Sequence, residues 1–201
     1  MRRSSYGPCA GAHAECEVLS NLDLERLSVL VVEDSPFIRS LIVNCLKILG
    51  VGKVTTRDHG GEAIEFLKLV HKDPIRAGVM TVDIVISDWE MSPVDGLMLL
   101  RWLRRHKESP NRFMPFIMVT AYTEEARVKE ARDMGANEVM TKPFTINGFA
   151  QKLENIILRP RQFVHTKDYF GPDRRRQNLP FEGPDRRVLT DDSEGVEVIR
   201  G

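Results

Sequence analysis

Two rhythms of apolar and polar positions alternate along most of this chain, and the switches between them mark its elements. Leu27-Ser28-Val29-Leu30-Val31-Val32 is a short β-branched run of the kind that forms a strand buried on both faces. Glu33-Asp34-Ser35-Pro36 follows, and Ser35 then Pro36 predict a helix start, because proline is tolerated at the first helical position. Ile38, Leu41, Ile42, Cys45, Leu46 and Leu49 recur at helical spacing as an inward stripe, and Gly50 stops the helix. The alternation then repeats. A strand is predicted over 51–55 and a helix over 58–70 with Ala63, Phe66, Leu67 and Val70 inward, before a long connection over 71–81. The next strand, over 82–88, ends abruptly in Asp88, and a helix over 97–106 follows a Pro/Asp/Gly loop. A strand over 116–120, a helix over 124–134, a strand over 136–140 and a helix over 146–158 complete the series. Five β/α units in strict alternation imply an α/β fold, a (βα)5 doubly wound parallel sheet with helices on both faces.

After Pro160 the periodicity is lost, and too few apolar residues remain for the segment to fold alone. The chain therefore divides into a flexible leader (1–23), one domain (24–159) and a flexible tail (160–201). The tail contains a repeat. Tyr169-Phe170-Gly171-Pro172-Asp173-Arg174-Arg175-Arg176 is echoed twelve residues later by Phe181-Glu182-Gly183-Pro184-Asp185-Arg186-Arg187. From Arg161 to Arg187 seven Lys/Arg meet four Asp/Glu, whereas from Val188 onward one Arg meets four acids, so the basic character is local.

Composition adds limits rather than direction. With 42% apolar residues in 201, a real core is available, and 29 basic against 29 acidic residues point to no class of partner. Cys9, Cys16 and Cys45 lack metal-ligand spacing, and Cys45 falls on a helix's apolar stripe as a buried thiol, so a reducing, cytoplasmic compartment is expected. No window is apolar enough for membrane insertion, and Ser4 to Glu17 is too polar for a signal core.

The chemistry gathers where the predicted strands end, since open α/β sheets place their sites at the C-terminal edge. The first strand delivers Glu33 and Asp34, the third Asp88, the fourth Thr120 and the fifth Lys142. Clustered carboxylates need a cation, and hard oxygen ligands suit Mg²⁺. A carboxylate is also a nucleophile toward phosphorus, and phosphoryl transfer needs mostly positioning and charge neutralisation. Asp88 is thus the expected acceptor, with Thr120 and Lys142 facing the phosphoryl oxygens. Glu33, Asp34, Asp88 and the backbone carbonyl of Glu90 are the expected metal ligands.

These residues carry a resemblance. Val-Val-Glu-Asp-Ser at 31–35, Asp88 with Met91-Ser92-Pro93-Val94-Asp95-Gly96, Thr120-Ala121 and Thr141-Lys142-Pro143-Phe144 resemble the receiver domain of two-component response regulators, in the CheY-like chemotaxis style. The resemblance implies phosphorylation of Asp88 by a histidine kinase, slow self-catalysed hydrolysis rather than enzymatic action on other molecules, and a cis bond before Pro143. There are two departures. Val139 stands where the family has a switch aromatic, and Tyr122, two residues past Thr120, is large enough to gate the site or to pack on the last helix.

The tail resembles the arginine-rich extension of CheY-like cyclic di-GMP effectors, the Cle group. Gly-Pro-Asp is a turn signature. Arginine is the usual bidentate donor to guanine, aspartate accepts from the guanine N1–H and amine, and aromatic rings stack on bases. The resemblance implies cyclic di-GMP as ligand, with Tyr169, Asp173, Arg174, Arg175, Arg176, Asp185, Arg186 and Arg187 as its contacts, and the flagellar motor switch or another motility protein as partner. Two alternatives stand beside it: a phosphoacceptor whose tail is only a tether, and an electrostatic binder of nucleic acid. The acidic segment after Arg187 and the lack of a DNA-binding helix argue against the latter.

Overall fold

The computed structural model describes residues 23–167, 169–173 and 196–199. Five parallel strands, β1 (Ser28–Val32), β2 (Lys53–Arg57), β3 (Ile84–Asp88), β4 (Phe116–Thr120) and β5 (Glu138–Thr141), form one sheet in the order β2-β1-β3-β4-β5. Helices α1 (Pro36–Ile48), α2 (Gly60–Lys72), α3 (Gly96–Arg105), α4 (Glu125–Asp133) and α5 (Ile146–Leu158) connect them. The strand order reverses between β1 and β3, which is the switch point where such sheets open a crevice.

Alternation along each strand builds two cores. Leu30, Val32, Val85, Phe116 and Met118 face Ala63, Phe66 and Leu67 of α2, Leu99, Leu100 and Leu103 of α3 and Ala131 of α4. Val29, Val31, Ile84, Ile86, Ile117 and Val119 face Ile42, Cys45 and Leu46 of α1 and Phe149, Leu153 and Ile156 of α5. Each fully buried aliphatic side chain contributes about 1.5–3 kcal/mol, so the doubly wound arrangement follows from the period-2 pattern meeting helical stripes.

Local chemistry sets the element ends. Ser35 caps α1, accepting from the Ile38 amide at 3.5 Å, with Pro36 in the first turn. Asp95 caps α3, accepting from the Met98 amide at 2.6 Å, and Thr145 caps α5 in the same way at 3.1 Å. The inward residues of α2 are buried as expected, whereas Leu41 on α1 faces solvent at 41% exposure. β2 begins two residues later than its apolar pattern suggests, because Val51 is buried ahead of the ladder and its amide bonds to Leu46. A one-turn helix, Pro74–Ala77, interrupts the long connection, capped by Asp73. Two peptide bonds are cis, Lys142-Pro143 and Ser92-Pro93.

Beyond α5, the described residues form a second, antiparallel sheet, in the order β7-β6-β8, from β6 (Phe163–His165), β7 (Phe170–Pro172) and β8 (Glu197–Ile199). These stretches lie in the segment read from sequence as a flexible tail. Counting apolar residues within the segment missed the partner surface: Phe163 and Phe170 are buried, and both rings pack edge-on against Phe113 at 5.1 and 5.3 Å.

Candidate functional site

Register brings the acidic strand ends together. β1 pairs with β3 so that Val32 lies opposite Ser87, which sets Glu33 beside Asp88 one step further on. Asp88 pairs with Val119 of β4, so Thr120 follows at the next position, and Thr120 pairs with Thr141, placing Lys142 just past it. The Lys142 amide donates to the Thr120 carbonyl at 2.7 Å, fixing where the lysine leaves the sheet.

The side chains meet. Lys142 Nζ lies 2.9 Å from Asp88 Oδ1 and 2.9 Å from Glu33 Oε2. Glu33 is also held by the Ser35 amide, 3.2 Å from its Oε1. Glu33 is 1% and Asp88 7% exposed, while Asp34 projects into solvent. Burial raises the Asp88 pKa from the ordinary range; Lys142 and the Trp89 amide oppose this, and the negative charge of Asp34 adds to it. Burial also raises Glu33, against the pull of Lys142. Desolvation works to lower Lys142, but its two carboxylate partners outweigh that and hold the ammonium above its usual value.

Two carboxylates thus share one ammonium, with a third carboxylate at the rim. Carboxylate oxygens of Glu33, Asp34 and Asp88 lie within 4.8 Å of one another, a hard-oxygen donor set that fits a divalent cation such as Mg²⁺. The loop after β3 must approach closely to shape this corner. A Cβ on Gly96 would stand 2.0 Å from the Asp88 carbonyl oxygen, so any side chain there would force the loop off the strand.

The mouth has its own frame. Tyr122 donates through its hydroxyl to a Glu90 carboxylate oxygen, its amide donates to Thr120 Oγ1 at 3.0 Å, and its ring meets Trp89 edge-on at 6.1 Å. Arg127 of α4 lies over both rings, 5.7 Å from that of Trp89 and 4.9 Å from that of Tyr122. Tyr122 therefore belongs to the site's rim beside α4. Val139 is buried in the core.

Of the residues proposed from sequence for the tail, Tyr169 and Asp173 are described, and both sit at the opposite edge of the sheet. Arg174, Arg175, Arg176, Asp185, Arg186 and Arg187 lie outside the described residues. The tail sheet covers the segment before β4 and the start of β5, where Arg104 is fully buried. Its guanidinium donates to the carbonyls of Gly135 (3.0 Å), Arg112 (2.8 Å) and Met114 (2.8 Å) and to Asn137 Oδ1 (2.9 Å). Burial brings its pKa down to about 9, which leaves it charged at neutral pH. Sequence reasoning passed over Arg104. The available signal was its place on the apolar stripe of α3, beside Leu100 and Leu103.

A buried aspartate at the switch point of a (βα)5 sheet, paired with a lysine and set beside two further carboxylates, is the arrangement at this edge. The chain matches the response regulator receiver domain family over residues 29–154 and belongs to that family. It is similar to the chemotaxis protein CheY homolog of Campylobacter jejuni, with 35% identity over 65% of this chain and 92% of that protein. Against chemotaxis protein CheY-3 of Vibrio cholerae the identity is 29%, over 67% and 95% of the two chains. The structure of CheY4 of Vibrio cholerae superposes with a TM-score of 0.53 at 27% identity, covering 65% of this chain and 98% of that one. No helix among the described residues is long and apolar enough to cross a membrane.

Proposed function

We propose that this protein is a CheY-type regulator with two inputs, phosphorylation of Asp88 and capture of cyclic di-GMP by the tail, and that it signals in the cytoplasm to a motility partner, the flagellar motor switch. The observation that carries the first input is Lys142 Nζ at 2.9 Å from both Asp88 and Glu33, a pre-set cation beside a buried carboxylate. Asp88 Oδ attacks the phosphorus of a kinase phosphohistidine, the P–N bond breaks and imidazole leaves. Water later attacks the aspartyl phosphate, returning the carboxylate and inorganic phosphate. Lys142 follows the phosphoryl charge and the Thr120 hydroxyl donates to a phosphoryl oxygen. Mg²⁺ held by Glu33, Asp34, Asp88 and the Glu90 carbonyl would neutralise the equatorial oxygens. Glu33 is the more enclosed ligand, through Lys142 and Ser35.

The repeat of aromatic-x-Gly-Pro-Asp-Arg-Arg supports the second input. Titration calorimetry of the full chain with cyclic di-GMP tests it: micromolar or tighter binding that Arg174→Ala or Arg186→Ala abolishes, with Asp88 phosphorylation intact, is the expected result. Unchanged affinity in both variants would sink the assignment. One observation favours a second reading, in which phosphorylation is the sole input and the tail a tether. The CheY relatives match over 92% and 95% of their own lengths yet over only 65% and 67% of this chain.

A further inference from the structure

We propose that the Tyr169–Pro172 stretch of the first tail repeat is a clasp, whose socket is built by the receiver at the N-terminal edge of its sheet, and that the arginines after it, not this stretch, are left to the ligand. The socket's occupants are this chain's own β6 and β7, Phe163–His165 and Phe170–Pro172. Phe113, Arg104, Arg112 and Gly135 form the receiving surface. Phe163 and Phe170 pack on Phe113 and on each other, with ring centroids 5.6 Å apart in the latter pair. The Arg112 guanidinium covers the Phe170 ring at 4.1 Å, and that of Arg104 faces Phe163 at 5.3 Å.

The glycine of the first copy has a docking reason of its own. A Cβ on Gly171 would stand 2.8 Å from the Gly135 Cα and 2.6 Å from the Tyr169 hydroxyl oxygen. Gly135 is itself at φ +98°, closing α4, and a Cβ there would meet the Phe170 carbonyl oxygen at 3.0 Å. Two glycines back to back let β7 lie against the α4–β5 corner. The rest of the copy is held by bonds within the segment that follows α5. The Tyr169 hydroxyl donates to the Pro172 carbonyl at 2.7 Å, the Asp173 amide donates to the Gln162 carbonyl at 2.7 Å, and Arg161 donates to the Asp173 carbonyl at 3.2 Å. Arg161 also faces buried Glu138, which pairs with Lys152 of α5 at 2.8 Å. Gly171 is spent on the approach to the receiver, while Tyr169 and Pro172 are bonded to each other within the docked strand.

The clasp stands on these contacts alone; the division of labour between the two copies rests on the ligand reading above. Hydrogen exchange on the full chain tests the first. Slow exchange across 163–172 is expected in the wild type, at least tenfold faster exchange in Gly171→Val, and no change in Gly183→Val. Phe113→Ala, which alters the socket from a partly exposed position outside the main core, should release the same stretch. Wild-type-like protection in both Gly171→Val and Phe113→Ala would overturn the clasp. Calorimetry with cyclic di-GMP tests the second: affinity within threefold of wild type for Gly171→Val and at least a tenfold loss for Gly183→Val is expected. Equal losses in the two would overturn the division, whereas no binding by the wild type would defeat the ligand reading and leave the exchange result to decide the clasp.

Discussion

The two edges of the sheet bury charge by opposite means. At the C-terminal edge, Glu33 and Asp88 share Lys142, with Asp34 open to solvent, so like charges crowd a single cation. At the N-terminal edge, Arg104 is enclosed by three carbonyls and an amide oxygen, all neutral groups. The first arrangement leaves carboxylates that gain from an incoming cation. The second has its donors directed to fixed dipoles and nothing in it to exchange. The same desolvation cost therefore gives a reactive site where partners are scarce and a rigid joint where they are plentiful. β5 joins the two, from Glu138 at the tail sheet to Lys142 at Asp88.

The sharpest way to separate the edges is Asp88→Asn, which should abolish incorporation of phosphoryl label from acetyl phosphate while leaving exchange protection across 163–172 untouched. Loss of that protection would show that the edges are one unit. Arg104→Ala should be the most destabilising single change, by about 3–5 kcal/mol in urea unfolding, since it strands several buried acceptors at once. A loss under about 1 kcal/mol would mean that water replaces the guanidinium. Lys142→Met removes the counter-charge of two buried carboxylates and should cost about 2–3 kcal/mol at neutral pH. Glu33 and Asp88 both have native pKa values above the ordinary range, so the native state takes up protons before the unfolded chain does. That deficit should therefore shrink as pH falls through those raised values, and a deficit growing on acidification would contradict the picture.

Phe170→Ala should cost about 2 kcal/mol, less than a central core deletion because one face of the clasp is thin. Melting of the variant beside wild type measures it. The smallest effect belongs to Tyr122→Phe, which removes the hydroxyl bonded to Glu90. Stability should stay within ~0.5 kcal/mol, because the group lies at the rim. The lifetime of the phosphorylated protein should shorten as the mouth loosens, and an unchanged lifetime would remove Tyr122 from any gating role.

Much of this was legible along the chain. The strands ending in Glu33, Asp88 and Thr120, the Ser35 and Pro36 helix start, and the inward faces of α2 follow from patterns spanning a few residues, which neighbouring atoms enforce. Four strand ends carrying acid, hydroxyl and ammonium could meet at only one edge once the sheet was parallel. Leu41 was misread because a stripe counted as apolar is wider than the face the sheet covers.

The clasp was not legible, for a physical reason. Phe163 and Phe170 stand in a polar segment that cannot bury them by itself, and their partner Phe113 lies in a loop between α3 and β4. Arg104 likewise draws its acceptors from positions 8, 10, 31 and 33 residues away, so its burial is a property of the assembled corner. By itself the sequence determined which residues form strands and helices and which functional groups the strands deliver, because periodicity and capping act locally. Tertiary structure alone decided that Lys142 bridges two acids and that Phe163 and Phe170 pack on Phe113 at the far edge, because desolvation and close approach exist only once distant segments have met.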